Sequence, residues 1–555
     1  MQAISELIQK VVQDLFSEQV DIELTRTDEQ FGDFATNVAL RLSKKLGQDS
    51  SLKLRTPGNP REIAQQIAKN ITSDMIEKTE VAGPGFINIT LSEKALVQLA
   101  EAAPVKQRSD TVVIETNNPN PFKAMHIGHG FNAILGDTIA NLIEADGASV
   151  YRVSYHGDVG LHVGKSMYSI LKFVDGDPDK LSEVPENEHN TFMSKMYAEG
   201  SRAYKEDEAA KKEIEELARQ SFTREDPVYA AVYDTCFKWS FEGIDRIVKL
   251  IGNQPIQKRF LESDADVRGV PIVKKHTPAV FQHSDGAYVF PGSQYGSFDN
   301  VFVASNGQGL YGARDLGLMA LKYEQYHPEK SYIITGGEQE AYFRGVIAAA
   351  GLVWEDQKDV TKNIPTGLVK LTTGKMSSRD GDVVEVEWLF EKFREAIKAR
   401  GGEPLDELIA GAMRYQFLKV KVGGDVVFDI EEAVSLSGNT GSYLQYAYAR
   451  AKSILEKSSV LSPQSVVSEL EPAERTLLRK IGEYSEVVER ATSELMPHHL
   501  CTYLYELAQT FNRFYEHNRV IDDPRENLRI HLVSKYAQTL KNGLNLLGIH
   551  APEKM

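Results

Sequence analysis

One stretch limits what this chain can fold into more than any other: residues 117–130, reading NNPNPFKAMHIGHG. It follows an apolar run, Val112-Val113-Ile114, and precedes Phe131, Ile134, Leu135, Ile139, Leu142 and Ile143, apolar residues at helical spacing. A second strand-like run, Ser149–Ser154, comes next. Strand, glycine-containing turn, helix and strand in that order predict the first unit of a doubly wound parallel sheet. Such a turn presents a helix N-terminus, with free backbone N–H groups and a positive dipole end, to an anion such as phosphate. Gly128 and Gly130 let the anion approach the backbone closely. His126 and His129, three residues apart, can face one ligand.

A second stretch has the chemistry to meet the first. The short predicted strand Leu368–Leu371 runs into Thr372-Thr373-Gly374-Lys375-Met376-Ser377-Ser378-Arg379-Asp380-Gly381. This is a polar loop with a lysine, hydroxyls and glycine hinges, suited to closing on a triphosphate. His126-Ile127-Gly128-His129 resembles the HIGH signature of class I aminoacyl-tRNA synthetases, although cytidylyltransferase-like enzymes share a bare H-x-G-H. Lys375-Met376-Ser377-Ser378-Arg379 resembles the second signature of the class, KMSKS. The two together, in this order, are far more specific than either alone. The second motif lysine is absent, since Ser378 stands in its place. Lys123 matches a lysine that arginyl enzymes carry before the first motif, which implies that it replaces the missing charge.

Length and composition set the frame. A chain of 555 residues is too long for one core and predicts two to four domains. No apolar run is long enough to span a bilayer. The first twenty residues carry Ile4, Leu7, Ile8, Val11, Val12, Leu15 and Phe16 at helical spacing, interrupted by acidic residues, unlike a signal peptide. Cys236 and Cys501 are far apart, form no metal-ligand pattern and fit a reducing cytosol. The net charge of −16 argues against a general nucleic-acid coat protein but not against reading one RNA through a local patch.

Three domains are expected. Residues 1–105 read as a small α/β domain, with a helix over Arg61–Ile71 after Pro60 and a strand over Phe86–Thr90. Residues 106–425 hold the nucleotide-binding fold, with an insertion at about 175–300. There the charged helix Glu206–Arg219 reads as a solvated face, and residues 256–303 suggest a strand-rich return to the sheet. The sheet's second half shows Tyr311 and Asp315, the helix Leu316–Tyr326, the strand Ser331–Thr335 and then Gly336-Gly337-Glu338-Gln339. Residues 426–555 are helical throughout, with 14 Lys and Arg against 17 Asp and Glu, so base contacts would need a local surface. Candidate stacking residues are Tyr443, Tyr446, Tyr448, Phe514 and Tyr515, each equally suited to packing between helices.

Further resemblances narrow the family. Residues 31–37 (FGDFATN), 83–89 (GPGFINI), 438–450 (GNTGSYLQYAYAR) and 543–555 (GLNLLGIHAPEKM) resemble segments of arginyl-tRNA synthetases, so the likeness covers nearly the whole chain. It implies a Rossmann-like class I catalytic domain, an N-terminal domain that grips the outer corner of tRNA and a C-terminal anticodon-binding domain. It implies a ligase that makes arginyl-adenylate from L-arginine and ATP with Mg²⁺, then transfers arginine to tRNA(Arg). A cytoplasmic monomer without membrane contact is expected. His126, Gly128, His129, Gly130, Lys375, Met376, Ser377 and Ser378 are implied to hold ATP, with Lys123 beside them. Glu115, Asn118, Asn120, His126, Tyr311, Asp315 and Gln339 are implied to form the arginine pocket. Carboxylates there suit a guanidinium, whose planar donors favour a fork geometry. In the Tyr155–His162 block, His156 and His162 read as solvated loop residues. A class I enzyme for another amino acid and a non-catalytic tRNA-binding relative remain alternatives at this point.

Overall fold

The computed structural model describes residues 2–48, 59–372, 384–460 and 469–555. The chain forms two compact units. The first comprises residues 1–104, 450–486 and 506–540; the second comprises 105–449, 487–505 and 541–555.

In the first unit an antiparallel sheet runs in the order Leu24–Arg26, Phe34–Thr36, Phe86–Leu91, Ile76–Ala82. The helix Pro60–Asn70 starts as the sequence predicts, with proline in its first turn and the Asn59 side chain accepting from Arg61 N–H at 3.0 Å. The FGDFATN segment is core and anchor here. Phe34 is buried, and the buried Asp33 carboxylate accepts from Leu91 N–H (2.7 Å), Arg475 (2.8 Å) and Arg479 (3.1 Å). That carboxylate ties the sheet to the helix Pro472–Ile481.

The second unit is built on five parallel strands in the order Thr361–Thr366, Lys330–Gly336, Thr111–Glu115, Ser149–His156, Lys258–Leu261. From Thr111–Glu115 the chain crosses through the helix Ile127–Ala145 to Ser149–His156 on one side, and later adds Lys330–Gly336 on the other. The carboxyl ends of Thr111–Glu115 and Lys330–Gly336 therefore flank the crevice where the winding reverses, the ordinary ligand site of such sheets. The insertion forms helices His189–Glu206, Glu208–Thr223 and Pro227–Leu250, packed with Leu161–Val174 around Met167, Ile170, Ile214, Tyr233 and Trp239.

Residues 256–303 return differently from expectation. Only Lys258–Leu261 joins the parallel sheet. Glu262–Lys275 is a helix, and the later strands Gln282–Ser284, Ala287–Phe290 and Asn300–Val303 form a separate antiparallel sheet. Pro271 lies inside that helix, and Ala265, Gly269 and Val273 are on its buried face. A Cβ at Gly269 would lie 1.8 Å from Ala313 O, so the glycine exists to let this helix press against Tyr311–Tyr326. That close approach brings Glu262 and Asp266 onto Arg314.

Candidate active site

The crevice has two chemically distinct ends, joined by the turn 116–126. At one end stand the histidines. His126 is the N-cap of the helix Ile127–Ala145, and its Nδ1 accepts from His129 N–H at 3.3 Å. With Nδ1 used as an acceptor, the ring proton of the neutral imidazole sits on Nε2, which is free to donate. The two rings stack with centroids 3.6 Å apart. Burial, reinforced by the nearby Lys123 charge, lowers the His126 pKa to about 4. Burial likewise holds His129 well below the histidine range, with His126 and Lys123 adding to the effect. Both imidazoles are therefore neutral near pH 7. His129 Nδ1 is buried with no hydrogen-bond partner among the described residues. Lys123 is itself depressed by burial and by Lys165.

The turn is held from outside the sheet. Phe122 adopts a left-handed φ of 65°, a conformation that costs a non-glycine residue about 1–3 kcal/mol. Its surroundings fix it there: the ring is buried 5.0 Å from Tyr233, its N–H donates to Ser240 Oγ (3.0 Å) and its carbonyl accepts from Ser166 Oγ (2.6 Å). The Pro121-Phe122 pair is thus a plug into the insertion's core. His156 does the same for Pro119, whose carbonyl is 2.7 Å from its Nδ1, while Nε2 is 2.7 Å from Ser154 Oγ. His156 is fully buried, and His162 Nε2 lies 2.6 Å from Gly157 O. The expectation that both were solvated loop histidines is corrected: each has a backbone carbonyl to satisfy inside the fold.

On its far side the turn meets residues that follow the lysine loop. Ile127 N–H donates to Val384 O (2.7 Å) and Val386 N–H to Met125 O (3.0 Å). Lys375, Met376, Ser377 and Ser378 lie outside the described residues. The chain that resumes after them is bonded directly to the histidine turn.

At the other end the carboxylates gather. Asp315, the fifth residue of the helix Tyr311–Tyr326, accepts from the Tyr342 hydroxyl. Burial pushes its pKa up to about 7; the Tyr342 hydrogen bond opposes that shift, and Glu115 and Glu262 add to it. Glu115 is buried at the end of its strand, with Lys322 Nζ 2.7 Å from Oε1 and Asn118 Nδ2 2.6 Å from Oε2. Asn118 also accepts from Tyr155 N–H (2.9 Å), and Asn120 from Gly157 N–H (3.1 Å). Glu262 pairs with Arg314, whose Nε is 3.1 Å from Asp266. Tyr311 is exposed at the start of its helix, and Gln339 is exposed in the short turn after Lys330–Gly336.

The structure thus brings His126, Gly128, His129, Gly130 and Lys123 together, and Glu115, Asn118, Asn120 and Asp315 along the same strand-end crevice. Sequence reasoning missed Tyr342, Lys322, Glu262 and Arg314. Lys322 had a signal, because it is a lone lysine in the apolar run LGLMALKY, seven residues and two turns after Asp315. Of the aromatic candidates in the helical region, Tyr448 and Phe514 are buried and Tyr446 is exposed. Tyr443 packs against Tyr505, and Arg450 lies over Tyr515.

The family model described as tRNA synthetases class I (R), catalytic domain, matches residues 90–401, more than half of the chain. The chain belongs to the class I arginyl-tRNA synthetases. An arginyl-tRNA synthetase N-terminal domain matches residues 2–91 and a DALR anticodon binding domain matches 444–555. Among relatives, an arginine–tRNA ligase of Flavobacterium psychrophilum is 26% identical, over 98% of this chain and 97% of its own. One of Limosilactobacillus fermentum is 28% identical, over 100% and 99%. The fold matches Thermus thermophilus arginyl-tRNA synthetase with a TM-score of 0.81 at 24% identity, over the whole of both chains. It matches the Plasmodium falciparum enzyme at 0.79 and 21%, over 100% of this chain and 99% of that one. As an enzyme of this family, the chain uses ATP to attach arginine to tRNA. No helix among the described residues is long and apolar enough to cross a membrane.

Proposed function

We propose that the histidine end of the crevice holds the phosphates of ATP and that Asp315 receives the guanidinium of arginine. The observation that carries this reading is the pairing of two half-buried imidazoles, held neutral by desolvation at a helix N-terminus, with a half-buried carboxylate that among the described residues accepts from the Tyr342 hydroxyl, along the same sheet edge. The arginine carboxylate attacks the α-phosphorus, pyrophosphate leaves, and the terminal adenosine of tRNA then accepts the arginyl group through its 2′-hydroxyl. The protein's work is positioning and charge stabilisation. His126 Nε2–H, His129 and the first backbone N–H groups of the helix donate to the α-phosphate. Lys375, Met376, Ser377 and Ser378 close on the β- and γ-phosphates, with Lys123 supplying the charge that Ser378 lacks. Mg²⁺ arrives with the triphosphate; among the described residues no group of three or more His, Cys, Asp or Glu is arranged to hold a metal. Glu115, Asn118, Asn120, Tyr311 and Gln339 line the arginine pocket with Asp315, and His126 borders it. Both ends of the site lie on one unit of one chain, so a single copy carries both, and a monomer acting in the cytoplasm is proposed. The domain reading of 1–105 for outer-corner contact, 106–425 for catalysis and 426–555 for anticodon contact stands with this proposal.

Aminoacylation of total tRNA with each of the twenty amino acids in turn tests the substrate: only arginine should support charging. His129→Ala should slow adenylate formation by about 10²–10³-fold, the usual cost of one oriented donor. The arginine KM should stay within about twofold, because the ring lies at the phosphate end. Near-wild-type turnover would remove His129 from the phosphate site.

Proton linkage gives a second check. Free Asp315, with its pKa raised to about 7, is mostly protonated below that pH and must ionise to meet a cation. Arginine affinity should therefore be flat above about pH 7 and fall by up to about tenfold per pH unit below it. Calorimetry at pH 6.5 in buffers of different ionisation enthalpy should show release of roughly half a proton or more per arginine bound. A pH-independent affinity without proton release would place the guanidinium elsewhere.

A further inference from the structure

His126 is pinned on both sides by one segment. Ile127 N–H donates to Val384 O at 2.7 Å, Val386 N–H donates to Met125 O at 3.0 Å, and Glu385 lies antiparallel to His126 itself. Val386 is buried and packs on Gly130, where a Cβ would lie 2.8 Å from its Cγ2. Through these contacts the start of the helix Val386–Ala399 fixes the backbone that aims the His126 ring. The segment is fixed in turn by the insertion. Glu387, in the first turn of that helix, is bonded through both oxygens. Asn190 Nδ2, from His189–Glu206, donates to Oε2 at 3.1 Å, and Arg246 Nη2, from Pro227–Leu250, donates to Oε1 at 2.6 Å. The two insertion helices are themselves joined at this point. His189 stacks on Trp239 with ring centroids 3.6 Å apart, and Asn190 presses so closely on Gly243 that a Cβ there would fall 2.0 Å from its Oδ1.

We propose that Glu387 is a positioning residue for adenylate formation: by taking one donor from each insertion helix, it holds residues 384–387 against the histidine turn and so aims His126 at the α-phosphate. This rests on the phosphate assignment of His126 made above and deepens it. The segment needs such a hold. Burial raises the Glu385 carboxyl above the usual carboxylate range, a Ser194 hydrogen bond opposes the rise, and the like charge of Glu387 adds to it. Without Asn190 and Arg246, these two acids would favour a position nearer water, and the two backbone bonds to Met125 and Ile127 would carry the register alone. A misplacement of about 1 Å at a reacting group costs up to about 10²-fold in rate. The contact can set a register without governing the fold. The Glu387 side chain is 32% and that of Arg246 49% exposed, the range in which an ion pair adds little to global stability.

The test is a mutant cycle on the full-length enzyme, read as pyrophosphate exchange with arginine, ATP and tRNA(Arg) present. Arg246→Met keeps the stem of the side chain and removes its charge. It should lower the kcat of exchange by about fivefold, the scale of one half-exposed ion pair. Glu387→Ala also loses the Asn190 bond and should cost about tenfold. In both variants KM for arginine should stay within about twofold, and the urea unfolding midpoint should not move. The double variant (R246M/E387A) should be no slower than Glu387→Ala, because both changes remove one shared contact. Exchange at the wild-type rate in Glu387→Ala overturns the proposal. So do losses that multiply in the double variant, which would mean that the two residues act through separate neighbours. A loss carried by KM for arginine overturns it by placing the effect at the carboxylate end. A fall in the urea midpoint that accounts for the whole loss overturns it by showing the contact to be framework only. His126→Ala separates this from the reading beneath it. Near-wild-type exchange in that variant removes His126 from the phosphate site, whereas slow exchange there with fast exchange in Glu387→Ala removes only the role of Glu387.

Discussion

Asp315→Asn should lower kcat/KM for arginine by about 10²–10³-fold while leaving the KM for ATP within about twofold. Truncating one charge of a desolvated, hydrogen-bonded pair typically costs about 2–5 kcal/mol, much of it from leaving the other charge without a partner. A factor of ten corresponds to about 1.4 kcal/mol, so the expected loss lies inside that range. Asparagine matches the shape of aspartate but offers one acceptor where the carboxylate offers two, and its amide nitrogen would point a donor at a donor. The Tyr342 hydroxyl that now donates to Asp315 can still bond to the asparagine oxygen, so the fold should survive. The loss should appear mainly in arginine binding, and the fall in affinity below pH 7 should vanish with the titrating group. Steady-state aminoacylation at several pH values measures both effects. A variant that retains full arginine efficiency would show that the guanidinium is recognised elsewhere in the crevice.

The sequence made the nucleotide end of this site readable because that end is local. One turn and the first residues of one helix carry His126, Gly128 and His129, and their spacing shows that they can share a ligand. The strand–turn–helix–strand order was equally legible, since each element has its own apolar period: Thr111–Glu115, Ile127–Ala145 and Ser149–His156 lie where the pattern placed them. The arginine end is not local. Its carboxylates come from separate segments at positions 115, 262 and 315, and only the packing of Glu262–Lys275 on Tyr311–Tyr326 brings Glu262 and Arg314 alongside the others. That packing depends on two glycines, Gly269 and Gly317, which in sequence look like helix breakers. Burial inverted the reading of His156 and His162 for a related reason: a loop of polar residues looks solvated until another element covers it. Phe122 shows the converse. Its left-handed backbone has no local signature in the sequence, because what holds it comes from Ser166, Tyr233 and Ser240.

Arg414→Met should destabilise the catalytic unit by about 3–5 kcal/mol, the usual cost of removing one partner of a buried ion pair. Arg414, on the helix Asp406–Leu418, is fully buried and spends its whole guanidinium on this unit. It bonds Asp137 (3.0 Å) and Thr138 (3.1 Å) in the helix Ile127–Ala145, Ile251 O (3.1 Å) and Asn253 (2.5 Å) after Pro227–Leu250, and Leu547 O (2.8 Å) near the C-terminus. Gly548 sits beside it at a φ of 68°, and a Cβ there would fall 2.2 Å from the guanidinium, so the turn and the arginine were shaped together. Methionine fills much of the volume but leaves Asp137 charged and buried, with Arg152 Nε at 3.5 Å and Gln254 N–H at 3.0 Å as its remaining partners. All three tryptophans, Trp239, Trp354 and Trp388, belong to this unit, so their fluorescence during urea unfolding reports on it alone. Adding Asp137→Leu should recover part of the loss, because the stranded charge is then gone, and the two effects should fall short of additive. Strict additivity would mean that the two groups act on stability independently, through their other neighbours. The helix that this node fixes begins at His126, so Arg414→Met should also lower adenylate formation at temperatures where the unit is still folded, by loosening the element that aims both imidazoles.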